Sequence, residues 1–143
     1  MTDRHDEVDL SRIALIEPHD GRLSRCVVRS TGSVEMEFDH LAVYELSGAD
    51  QYDIWSYRAS LILANTTRIA FERALGGNAI LDDAALHDSN GGEHEWREAL
   101  ASLSIQSFTA VFTYGTTIDI ACSACHLELR ERVRYVERWV GPL

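Results

Sequence analysis

From Ser33 onward the apolar residues recur at intervals of three and four, and that spacing predicts helices. Val34, Phe38, Leu41 and Ala42 share one face of a first helix over 34–47. Ser33 is its N-cap, Glu35 and Glu37 fill its acidic first turn, and Gly48 stops it. A second helix is predicted over 51–75, capped by Asp50 and ended by Gly76-Gly77. Its two apolar rows, Ile54-Tyr57-Leu61-Ala64 and Trp55-Ile62-Ile69, suit a helix with two neighbours. A linker rich in Gly, Asp and Asn covers 76–92, and a third helix opens at Glu93 with Trp96, Ala99, Leu100 and Leu103 inward. The last helix aligns Phe108, Val111, Phe112, Gly115, Ile118, Cys122, Cys125, Leu129 and Val133. Four helices with mostly short connections predict an all-α, antiparallel four-helix bundle over 33–140. Residues 1–32 read as an N-terminal extension. Its two β-like runs, Ile13–Ile16 and Cys26–Val28, flank the turn-rich Glu17-Pro18-His19-Asp20-Gly21 and suit a small hairpin or an extended arm, with a disordered arm as an equal alternative.

A chain of 143 residues, 45% hydrophobic and 25% charged, fits one domain with a core large enough to need no disulfide staples. Thirteen basic against 23 acidic residues give a net charge of −10. That charge repels nucleic acid and favours basic partner surfaces. No run approaches the ~18 apolar residues of a membrane span. The polar start, Met1 to Glu7, has no apolar stretch after it, so no signal peptide is visible.

The candidate chemistry lies in Cys122-Ser123-Ala124-Cys125-His126, a CxxCH run. Two thiols three positions apart, followed by an imidazole, suit covalent attachment of a c-type haem. The thiols add across the porphyrin vinyl groups and the histidine ligates the iron, which points to redox or gas chemistry rather than hydrolysis. On the predicted helix both thiols share the core face and His126 sits at its edge. The alternative is a haem-free helical domain that uses the cysteine pair for zinc binding or thiol redox switching. Zinc needs four ligands, and with no second CxxC only His87 and His94 stand as distant candidates. A redox CxxC follows a strand and opens a helix, whereas this one lies within a helical stretch. Cys26 reads as a lone thiol.

The segment Ile118 to Arg130 resembles the C-terminal pattern of the class II c-type cytochromes, a helix carrying CxxCH with a basic residue four positions beyond the histidine. The resemblance implies a four-helix bundle with one covalent haem c, serving electron transfer or the binding of a small gas such as nitric oxide. It implies thioethers at Cys122 and Cys125, proximal ligation by His126, and Arg130 one turn away on the proximal side. The family's first helix supplies the distal side, where Met36 or His40 is a candidate sixth ligand and Phe38 and Leu41 would line an open pocket. The resemblance further implies redox partner proteins and a periplasmic location, although the chain shows no leader. Dimers are common in the family, with Trp55 or Tyr57 as candidate contact residues. The chain departs from the pattern in three places: the stretch from Trp96 to Cys122 is short, Leu129 stands where an aromatic is frequent, and residues 1–32 have no counterpart. No acid/base pair in a recognisable setting marks an enzyme.

Overall fold

Burial along the chain follows a period of two. Val34, Met36 and Phe38 are buried, and Glu35 and Glu37 between them point to the opposite face. The computed structural model describes residues 9–71, 79–113 and 115–143. They form the strands β1 (Ile13–Val28), β2 (Val34–Gly48), β3 (Gln51–Ala64), β4 (Arg68–Phe71), β5 (Ala79–His87), β6 (Glu93–His94), β7 (Leu103–Ser104), β8 (Ser107–Phe112), β9 (Thr117–Ala121) and β10 (Ala124–Val140). Two 3-10 turns, Leu10–Arg12 and Trp96–Leu100, complete the elements.

The sheet order is β4-β9-β8-β5-β1-β2-β3-β10-β7, with β6 on β5. Every pairing is antiparallel. β1 meets β5 through two residue pairs only, Arg22 with Ile80 and Leu23 with Ala79. At that short seam the sheet divides into two halves that share one core, as in a sandwich. Phe38, Leu61 and Leu127 come from one half, and Leu86, Phe108 and Ile120 from the other. Trp96 lies between them, edge-on to Phe38 at 5.9 Å and to Phe108 at 6.1 Å.

The four-helix bundle is overturned: there is no α-helix among the described residues. The helix expected over 34–47 is β2. The one expected over 51–75 is β3, a turn and β4, with 72–75 and Gly76-Gly77 outside the described residues. Much of the expected linker is β5, and the expected last helix is β8, β9 and the start of β10. Of the third helix, one 3-10 turn forms, and it does bury Trp96 and Ala99. Ile13–Ile16 and Cys26–Val28 do not pair with each other as a hairpin; they are successive parts of β1, in the middle of the sheet.

Bulges explain why these strands imitate helices. In β2 the register advances from Phe38 opposite Ala59 to Leu41 opposite Tyr57, three residues against two, so two core residues fall three apart. β10 has 17 residues against 14 in β3, and 17 − 14 = 3 matches its three register shifts. These leave Arg130, Val133 and Val136 without partners on β3 and place Arg132, Tyr135 and Arg138 on one face at intervals of three.

Candidate functional site

The CxxCH run occupies the corner where the chain leaves β9 and enters β10. The Cys122 and Ser123 amides donate to the Gln106 and Ala64 carbonyls, each at 3.0 Å, and fix that corner. Cys122 is buried, and Cys125, opposite Leu63, enters the core at 1% exposure. His126, one residue on, pairs with Ile62 on the outer face. Its ring is 42% exposed and lies 3.7 Å from the Glu128 carboxylate. Arg130 shares that outer face, with its guanidinium 2.9 Å from Glu128 and donating to the Ser60 hydroxyl at 3.2 Å. The structure thus brings His126, Glu128 and Arg130 together, and sets both sulfurs on the other side of the strand.

A covalent haem requires both thioethers and the axial imidazole to reach one macrocycle. Sulfurs packed in the core and an imidazole on the opposite face do not fit that group. The expected distal candidates lie apart from His126 as well. Met36 is fully buried opposite Leu61. His40 is half-buried, with Nδ1 hydrogen-bonded to the Ser56 hydroxyl. Neither borders the groove of about 450 Å³ that His126 shares with Leu10, Leu100 and Leu129.

Both thiols of the pair are buried rather than open to solvent. Burial pushes Cys122 up to about 11 and Cys125 up to about 12, and it also raises Cys26. Burial of this kind disfavours the thiolate, the form that attacks and ligates. The two candidate zinc histidines are engaged elsewhere: His87 Nε2 lies 3.3 Å from the Thr109 hydroxyl, and His94 is bound by carboxylates. Among the described residues no group of three His, Cys, Asp or Glu side chains is placed to hold a metal ion. Of the expected dimer contacts, Tyr57 is fully buried, and Trp55 is covered by Tyr135 at 5.4 Å and by the Arg132 guanidinium at 4.3 Å.

A different site emerges where β1 bends over β5, β6 and the second 3-10 turn. The bend at Pro18–Gly21 holds Asp20 at a φ of +65° and aims His19 at β5, where Nδ1 meets the Asp82 carbonyl at 2.7 Å. A cleft of about 300 Å³ opens there, lined by the acidic residues Glu17, Asp83, Glu93 and Glu95 and by His19 and His94; the Glu17 carboxylate accepts from the Tyr44 hydroxyl at 3.0 Å. Trp96 also borders it. Asp20, Asp82, Asp88 and Glu98 adjoin these residues in the chain.

Among the described residues no arginine lines this cleft. The chain has no lysine, and most of the described arginines are engaged elsewhere. On the outer face Arg22 pairs with Asp39 at 2.8 Å, Arg25 with Glu37 at 3.1 Å and Arg29 with Glu35 at 3.0 Å. Arg97, next to Trp96, donates to the Ile13 carbonyl at 2.6 Å. Among the described residues, His19 and His94 are the basic groups that border the cleft. The Asp82 carbonyl and then the Asp20 carboxylate raise His19 above the ordinary histidine value. Hydrogen bonds to Asp88 and then to Glu98 do the same for His94. Acidic side chains gathered on one face attract cations.

Sequence reasoning missed this cleft, although its signal was present. Between Asp82 and Glu98 stand six acidic residues and a single arginine, Arg97. Compared with known proteins, the chain matches no family model, no curated protein and no solved structure.

Proposed function

We propose that this protein is a binding module that docks a basic protein surface on the acidic cleft between β1, β5, β6 and the Trp96 turn. The observation that carries this reading is the segregation of charge. Arg22, Arg25 and Arg29 pair with carboxylates on the outer face of the sheet, while among the described residues Asp83, Glu93 and Glu95 meet no arginine in their cleft. Binding a cationic surface would relieve the repulsion among these groups and speed encounter, with a marked dependence on salt. Ser56 and His40, a hydrogen-bonded pair of catalytic residue types, border neither this cleft nor the groove beside His126, which favours binding over hydrolysis.

The test is a titration of the protein with an arginine-rich peptide at low salt, followed by amide NMR. The expected shifts map to Asp83 and Glu93–Trp96 and vanish as salt is raised. The triple substitution Asp83→Asn, Glu93→Gln, Glu95→Gln abolishes them. Shifts confined to other surfaces, or none at low salt, refute the reading.

A further inference from the structure

We propose that His94 is a proton-dependent latch that fastens the β5–β6 loop to the cap of the Trp96 turn. The ring lies between two carboxylates from different elements. Its Nε2 meets Asp88 Oδ2 at 2.9 Å, and its Nδ1 meets Glu98 Oε2 at 3.3 Å. Each carboxylate also organises backbone. The other Asp88 oxygen accepts the Asn90 and Gly92 amides, both at 2.9 Å, and so shapes the loop. Glu98 Oε2 accepts the Glu95 amide at 2.9 Å and so caps the turn.

Serving two carboxylates requires two N–H donors, and only the imidazolium has them. A neutral ring keeps one donor and turns a lone pair toward the other carboxylate. The shorter contact, to Asp88, retains the donor, and the longer one, to Glu98, becomes repulsive. Deprotonation therefore releases Glu98 and weakens the Glu95 cap, next to Trp96 in the core and to Arg97 on the Ile13 carbonyl. The groups facing the ring are Asp88 from the loop and Glu98 from the turn. Glu93 and Glu95 flank it in the chain, and Asp83 of β5 and Glu17 and His19 of β1 share the cleft. Arg97, the nearest arginine in the chain, is held by Ile13. Asp88 and Glu98 raise His94 above the usual histidine value, and His94 with the loop amides lowers Asp88, as a working latch requires. The consequence for binding rests on the function proposed above: loss of the proton adds negative charge where the cation docks.

The latch is tested on the free protein, so its failure and that of the binding reading are separable. Ring NMR gives the titration of His94, and amide hydrogen exchange gives protection at Glu95 and Gly92. In the unaltered protein, Glu95 protection falls about two- to fivefold as pH rises through that titration, while Gly92, still held by Asp88, does not change. His94→Gln leaves Glu95 protection flat with pH. Should that variant not fold, Glu98→Gln provides the same check by lowering the titration of His94. Constant Glu95 protection across the titration, or a ring that titrates at or below the usual histidine value, overturns the latch.

Discussion

Cys125 and His126 are neighbours in the chain and face opposite sides of β10, the thiol inside the core and the imidazole on the outer surface. A step of one residue turns a side chain by about 180° along a strand and by about 100° around a helix. The same five letters therefore carry different chemistry on the two backbones. On a helix His126 stays near the thiols. On β10 it joins Glu128 and Arg130, while Cys125 becomes a small apolar core residue beside Leu63 and Leu127.

The first prediction concerns those thiols. In the folded protein Cys122 and Cys125 react with a thiol reagent far more slowly than in denaturant, because both are buried and burial holds them protonated. Cys125→Ser places a hydroxyl in an apolar setting and lowers unfolding free energy by about 1–3 kcal/mol. Cys26→Ser, at a partly buried site, costs less. Timed labelling and denaturant midpoints check both statements.

What the sequence made legible follows from where its strands are regular. The β-like runs Ile13–Ile16 and Cys26–Val28 do lie in a strand, and Trp96 and Ala99 do face inward. The long elements were misread because bulges change the spacing. Phe38 and Leu41 lie three apart in sequence yet on one face, since a single bulge separates them. Arg132, Tyr135 and Arg138 repeat that pattern in β10. Alternation in Val34-Met36-Phe38 and Cys125-Leu127-Leu129 was the contrary signal. Nothing local to the sequence shows that β1 bends across β5, so the cleft it closes was out of reach, although the acidic run from Asp82 to Glu98 was plain.

That bend yields the second prediction. Between the pairs Glu17–Ala42 and Arg22–His40, β1 advances five residues and β2 two, and Gly21 lies within the excess. A Cβ at Gly21 would come within 2.8 Å of the Pro18 carbonyl oxygen and 2.9 Å of a Leu41 methyl. Gly21→Ala therefore destabilises the fold by about 1–3 kcal/mol through overpacking. Gly91→Ala meets nothing within 4 Å and bears only the strain of a φ of +80°, about 1 kcal/mol. Thermal unfolding of the two variants gives the ranking.

Trp96 provides the third. The ring is 3% exposed and packs edge-on to Phe38 and Phe108, so Trp96→Ala removes the bridge between the two halves of the sheet. The expected loss is about 3–5 kcal/mol. Its Nε1–H is buried without a hydrogen-bond partner. Trp96→Phe discards that unsatisfied donor and keeps an aromatic edge on both neighbours, so it costs much less than the alanine change. Equal losses from the two substitutions would show that the indole N–H is in fact satisfied.

The last prediction is the behaviour of the fold in alkali. Tyr57 is fully buried. Its hydroxyl donates to Glu45 and accepts from Arg132 Nε at 3.3 Å. Arg132 also pairs with Glu45, and its guanidinium lies over Trp55. Burial, reinforced by the hydrogen bond to Glu45, pushes the Tyr57 phenol from 10.0 up to about 12. The unfolded chain loses that proton near 10 and the folded one holds it further, so the unfolded state binds fewer protons in this interval. Stability is therefore constant with respect to Tyr57 below the ordinary phenol value and declines from there until the folded group also ionises. Tyr57→Phe removes this contribution and flattens the decline. Tyr44, raised to about 12 by burial and by its bond to Glu17, leaves a residual slope in that variant. At neutral pH the phenylalanine change costs about 1–2 kcal/mol, because Glu45 and Arg132 lose a polar partner in a part-buried setting. Denaturant unfolding of both proteins at neutral and alkaline pH measures the two effects separately, and parallel curves would exclude Tyr57 as their source.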